Sequence, residues 1–284
     1  MSADAKPLAT TDHRRDSAGL TYVYPVVSRR AGGVSVGINL NPNNACNWRC
    51  IYCQVPGLKR GPAPAVDLGR LEAELRGFIA ELLQGDFMQR QVPAEARRIA
   101  DLAFSGNGEP TSSPCFVEAI ELAGRVLQEA GLRESVPIRL ITNGSLLGRR
   151  RVQEGVRRLG ELGGEVWFKV DAGTAEGFRR INGVELSPAS VARNLRCCAR
   201  LCRTWVQTCL FALDGAGPNA QEIDAYVALL DNAGAASLAG VHLYGIARQP
   251  MQPEGPRLSR LPAADMEAVA GRLRQIGLTV RISP

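Results

Sequence analysis

GVSVGINLNPNNACNWRCIYCQ, residues 33–54, runs from an apolar stretch directly into three cysteines, Cys46, Cys50 and Cys53. Its first part reads as a short strand and its second as a loop that packs three thiols into eight positions. A strand that delivers clustered thiols to its end becomes informative once the surrounding pattern is known.

That pattern is an alternation. DLAFS (101–105), IRLITN (138–143), EVWFKVD (165–171), WVQTCLF (205–211), GVHLYGI (240–246) and LTVRIS (278–283) read as strands. Between them lie amphipathic stretches such as LGRLEAELRGFIAELL (68–83) and PCFVEAIELAGRVLQEAG (114–131), with apolar residues three and four apart as on one face of a helix. Upstream, LTYVYPVV and GVSVGINL flank the turn-rich SRRAGG and predict a β-hairpin or two short strands. Strands alternating with helices make parallel βαβ units, in an open doubly wound sheet or in a barrel. In either, functional side chains collect just beyond the carboxyl ends of the strands. Residues 1–20 are polar and read as a flexible tail. Residues 21–284 contain no repeat, low-complexity tract or Pro/Ser linker and are expected to form one domain.

With 45% hydrophobic and 22% charged residues among 284, the composition sets aside fibrous and wholly disordered classes. The N-terminal residues hold no apolar run of signal-peptide or spanning-helix length, so a cytoplasmic protein without membrane contact is expected. Thiols stay reduced in that compartment. The net charge of +6 admits an anionic partner such as RNA. Lysine occurs only at 6, 59 and 169, however, and the arginines spread along helical stretches such as GRRRVQEGVRRLG (148–160), which suits solvated helix faces equally.

Taken as residues alone, the three thiols admit four readings. A disulfide runs against the reducing compartment. Zinc asks for four tetrahedral ligands, and the chain's histidines, His13 and His242, lie in the expected tail and in a strand. A redox pair of Cys50 and Cys53 leaves Cys46 without a task, and residues 54–57 look like loop rather than the helix such a pair expects. A cubane iron–sulfur cluster, normally held by four thiolates, would here be held by three and keep one iron open to a chelating small molecule. A non-enzymatic zinc- or nucleic-acid-binding module thus stands beside an enzyme.

A second segment bears on the choice. Strand DLAFS runs into Ser105, Gly106, Asn107, Gly108, Glu109, Pro110 and Thr111. A dinucleotide fingerprint needs a third glycine where Thr111 stands. The segment instead offers backbone groups at a glycine turn and a carboxylate that Pro110 keeps out of the helix, acceptors suited to an ammonium group. ITNGS (141–145) closes the next strand with small polar residues, and Lys169 and Asp171, two apart, share one face of the strand after it. A lysine inside a parallel strand is costly unless it is paired or faces a polar cavity, so ion-paired core filler and a role in the site are both open for Lys169.

The CxxxCxxC spacing after a strand, with Tyr52 just before the last cysteine, and the SGNGEPT element, similar to a GGEP motif, resemble the radical S-adenosylmethionine (SAM) superfamily. The resemblance implies an α/β fold, a partial (βα)6 TIM-like barrel of parallel strands with a short N-terminal hairpin or strand extension. It implies a [4Fe-4S] cluster on Cys46, Cys50 and Cys53, with SAM chelated to the open iron through the amino and carboxylate groups of its methionine moiety. It also implies that Gly106, Asn107, Gly108 and Glu109 hold the methionine ammonium, that Tyr52 belongs to the cofactor site, that Asn143 and Asp171 line the ribose and carboxylate, and that the backbone of strand 241–246 receives adenine. The implied reaction takes an electron from a low-potential donor of the flavodoxin or ferredoxin type, breaks the C5′–S bond and leaves a 5′-deoxyadenosyl radical. That radical abstracts hydrogen from an unknown substrate.

NGEPT, ITNGSLL and DAGTAEGFRRING look most like the branch of small iron–sulfur oxidoreductases related to wyosine-type tRNA-modifying enzymes, which adds tRNA as a candidate partner. Cys46 is the first cysteine of the chain, so the N-terminal cysteine set for that branch's second cluster has no counterpart here. Cys115, Cys197, Cys198 and Cys202 read as small apolar packing residues. Cys209, near the end of its strand and on the face of Gln207, has the position of a substrate contact.

Overall fold

The computed structural model describes residues 8–9, 18–28 and 31–284. Eight strands form one sheet whose spatial order follows the chain: β1 (Val23–Ser28), β2 (Gly33–Asn39), β3 (Ile99–Ser105), β4 (Ile138–Thr142), β5 (Glu165–Lys169), β6 (Arg203–Cys209), β7 (Gly240–Tyr244) and β8 (Val280–Ser283). β1 pairs antiparallel with β2, Val23 opposite Ile38 and Ser28 opposite Gly33, which makes the expected hairpin. Every later pair is parallel. Helices α1 (Leu68–Gln84), α2 (Phe116–Glu129), α3 (Arg150–Glu161), α4 (Pro188–Leu201), α5 (Ala220–Asn232) and α6 (Ala263–Gln275) follow β2 to β7 in turn. A chain that always steps to the next strand in one direction, with right-handed crossovers, lays its helices on one face. The sheet therefore curls into an open partial barrel, and the doubly wound alternative, whose strand order reverses, falls away.

Local chemistry sets the elements. α1 starts at Asp67, whose carboxylate accepts the Arg70 N–H at 3.0 Å, and it buries Leu71, Leu75, Phe78, Ile79 and Leu82. Burial of such side chains contributes about 1.5–3 kcal/mol each. Strand side chains alternate between core and barrel interior. Leu102 and Phe104 of β3, Ile138 and Leu140 of β4, and Val166 and Phe168 of β5 enter the core under the helices. Asp101, Ala103 and Ser105, then Arg139 and Ile141, then Trp167 and Lys169, line the interior. Near the amino ends of these strands Arg139 donates to Glu165 at 2.7 Å and pairs with Asp101, which also accepts the Ser35 hydroxyl.

Of the expected tail, Leu8 is buried in the core and its N–H donates to the Gln91 carbonyl at 2.8 Å. Residues 1–7 and 10–17, with His13, lie outside the described residues. No described helix is long and apolar enough to cross a membrane. Three of the four arginines of α3 are matched by carboxylates: Arg151 by Glu118, Arg157 by Glu161, and Arg158 by Glu121 and Glu161. Cys198 and Cys202 are core residues and Cys115 packs against the edge of that core, as small apolar side chains would.

Candidate active site

Cys46 ends a two-residue strand, Ala45–Cys46, that pairs with Lys59–Arg60, so the thiol loop is closed by its own backbone. Neighbours pin it further. The Arg49 and Ile51 N–H groups donate to the carbonyls of Asn182 and Ile181, and the Met251 N–H donates to the Cys53 carbonyl at 2.8 Å. Arg49 makes a two-pronged ion pair with Glu254 at 2.9 and 2.5 Å, and Gln252 donates to the Val55 carbonyl. The loop after β7 thus straps the thiol loop down.

All three cysteines line one cavity of about 270 Å³ that runs through the barrel interior to the carboxyl ends of the strands, and Tyr52, Gly106, Asn107, Gly108, Glu109 and Asn143 line it too. The Trp48 N–H points at Cys46 Sγ (3.4 Å) and the Asn182 side-chain amide at Cys50 Sγ (3.2 Å). Burial pushes the Cys46 and Cys50 thiols up to about 12, so a metal must displace their protons.

The glycine turn is packed against the base of the thiol loop. Gly106 has φ +136, and a Cβ there would meet Asn39 Oδ1 at 2.4 Å; at Gly108 it would meet the Ala45 carbonyl oxygen at 2.0 Å. The Asn107 N–H donates to Asn39 Oδ1 at 3.1 Å and its amide to Asn44 Oδ1 at 2.6 Å.

Glu109 is buried, and burial raises its carboxyl above the usual range against the hydrogen bonds that oppose the shift. Its Oε1 accepts from the Thr111 N–H (3.1 Å), the Thr111 hydroxyl (2.6 Å) and the Thr142 hydroxyl (2.6 Å), while Oε2 accepts the Asn143 N–H at 2.7 Å. A carboxylate has about four lone-pair positions divided between its oxygens, so Oε2 keeps acceptor capacity for a ligand donor. Asn143 in turn donates to Asn47 Oδ1 at 2.9 Å, linking Glu109 to the residue beside Cys46.

Asp171 is the residue expected at the ribose and carboxylate. It does not line the cavity. Its buried carboxylate accepts the Tyr52 hydroxyl, the Asn182 amide at 2.8 Å and the Cys209 N–H at 3.1 Å, so both oxygens brace the thiol loop. Lys169 lines the cavity instead, its Nζ 3.1 Å from the Tyr244 hydroxyl and 4.8 Å from the Tyr52 ring centre. Burial works to strip its proton, but the charge of Asp171 and the hydrogen bond with Tyr244 oppose it and raise the ammonium above the ordinary lysine range. Cys209 also lines the cavity. Residues 178–182 belong to the DAGTAEGFRRING segment, whose Asn-Gly at 182–183 signals a turn, while the bond from Asn182 to Cys50 is invisible in a linear pattern.

Among the described residues no three His, Cys, Asp or Glu side chains converge on a single-ion position. A cubane asks for a different arrangement, with each thiolate on its own iron. Three thiols around one cavity, two of them facing N–H donors, fit that demand.

An open α/β barrel with a cavity reaching its strand carboxyl ends places the lining side chains where barrel folds gather functional residues. The radical SAM superfamily model matches residues 40–230, well over half of the chain. The chain belongs to the radical SAM superfamily. It is 28% identical over 160 residues to a UPF0026 protein of Helicobacter pylori, a match covering 56% of this chain and 44% of that one. The chain spans less than half the length of the curated relatives it matches. Its fold is shared with a solved structure of TYW1 with a lysine-pyruvate adduct bound (TM-score 0.57, 18% identity, 85% of this chain and 73% of that one). It is shared also with a radical SAM methyltransferase from Sphaerobacter thermophilus (TM-score 0.56, 18% identity, 92% and 69%).

Proposed function

We propose that this chain is a SAM-cleaving enzyme in which Cys46, Cys50 and Cys53 hold one [4Fe-4S] cluster. The observation that carries the proposal is that these thiols and the free acceptor side of Glu109 face the same cavity. When bound, the cluster and SAM together supply a 5′-deoxyadenosyl radical that takes hydrogen from a substrate. The chain's own residues do the positioning. Glu109 Oε2 and the backbone of the turn at 106–108 receive the methionine ammonium, and Asn143 fixes Glu109 relative to the thiol loop. The Tyr52 ring walls the cavity, held by Asp171. Lys169, whose side chain lines the cavity with Tyr244 as hydrogen-bond partner, seats an anionic group such as a carboxylate. Gly245 and Ile246, just past β7, offer backbone to adenine.

The electron donor is proposed to be a low-potential flavodoxin- or ferredoxin-type protein, in a cytoplasmic setting. For tRNA as substrate, the ion-paired arginines of α3 give no support, and steeply salt-dependent tRNA binding would restore it. The deciding experiment is anaerobic reconstitution followed by dithionite and SAM. About four iron and four sulfide per chain and release of 5′-deoxyadenosine are expected, with Cys50→Ala abolishing the release. A colourless protein carrying one zinc would instead establish the binding-module alternative.

A further inference from the structure

Asn182 faces Cys50 from outside the cavity, and its placement is tightly determined. It closes the turn Phe178–Asn182, is fully buried, and is followed by Gly183 in the left-handed region at φ +65. One amide hydrogen goes to Asp171 Oδ2 at 2.8 Å, and the same nitrogen stands 3.2 Å from Cys50 Sγ. An amide flipped end for end would set an oxygen against the Asp171 carboxylate, so the NH2 group is committed to the sulfur side. Asp171 is itself held by the Tyr52 hydroxyl and the Cys209 N–H. Backbone bonds from Arg49 to the Asn182 carbonyl (3.0 Å) and from Ile51 to the Ile181 carbonyl (2.9 Å) lock this turn to both neighbours of Cys50.

A donor fixed on a cysteine sulfur stabilises negative charge there, and more so in the more negative, reduced state of a cluster. In a buried setting the effect is weakly screened. We propose that Asn182 is a positioning residue that raises the cluster's reduction potential through its hydrogen bond to Cys50, with Asp171 orienting the amide. This rests on the cluster reading above. Removing the donor makes the reduced state harder to reach for the same low-potential partner.

The test is an EPR-monitored redox titration of the reconstituted full chain, wild type against Asn182→Leu, which keeps side-chain bulk and loses the donor. Equal iron content with a midpoint moved to more negative potential is expected; equal iron with an unchanged midpoint overturns the inference. Should the variant fail to take up iron, wild-type protein labelled with 15N at asparagine side chains decides. Pulsed EPR of the reduced cluster should then detect a side-chain amide nitrogen that persists in Asn47→Ala, and its absence counts against Asn182. A wild-type protein without iron fails the parent reading instead, a distinct result.

Discussion

Glu109 carries an unusual load for one residue. Four protein donors meet its buried carboxylate, three of them on Oε1. Burial still lifts its pKa, which means the site holds the charge at a cost when no cation is near. A ligand ammonium at Oε2 reverses that cost, and binding and charge are thereby linked. Glu109→Gln removes the charged acceptor, a loss of roughly 1.5–3 kcal/mol, so SAM affinity should fall about ten- to a hundredfold while iron per chain holds. Equilibrium binding of SAM to the reconstituted protein measures this, and an undiminished affinity would take Glu109 out of the site. The motif announced the residue, but the division of donors between its two oxygens depends on Thr142 and Asn143, which lie 33 and 34 positions away.

The turn after β3 lies on the loop after β2 because parallel strands in sequential order bring their carboxyl ends side by side, Asn39 opposite Ser105. Contact is backbone to backbone at Gly108, where the facing atom is the Ala45 carbonyl. A carbonyl in a hydrogen-bonded loop cannot rotate aside, and Asn41, fully buried, already donates to it at 2.9 Å. Gly108→Ala should therefore push the loops apart, destabilise the protein by about 1–3 kcal/mol and lower the iron retained after anaerobic desalting. Thermal unfolding and iron analysis together read both effects, and retention equal to wild type would show that the loops tolerate separation. Glycine at this turn was legible in the sequence; that its need is steric contact with the cysteine loop was not.

Across the whole molecule, the barrel has a cysteine-bearing end and a structural end. Near the amino ends of β3 to β5, Arg139 joins Asp101 and Glu165, with the Asp101 side chain only 3% exposed. Its guanidinium also lies 4.9 Å from the Trp167 ring centre. Arg139→Met strands the buried Asp101 and the half-buried Glu165 without their cation, a loss of about 3–5 kcal/mol. The unfolding midpoint should drop on the order of 10 °C while the cysteine site keeps its iron. An unchanged midpoint would mean that Asp101 and Glu165 find other relief.

Local pattern determined what local chemistry controls: alternating strands and amphipathic helices, the hairpin, the thiol spacing, the glycine turn and its carboxylate. These are written within a few residues of one another, because strand pleat, helix period and turn geometry are short-range properties. The choice of barrel over doubly wound sheet, the bracing task of Asp171, the donor from Asn182 to Cys50 across 132 positions and the strap from Glu254 to Arg49 across 205 were decided only by tertiary structure. Hydrogen bonds and ion pairs act through space over a few ångströms, and which distant residues come that close is settled only when the sheet curls.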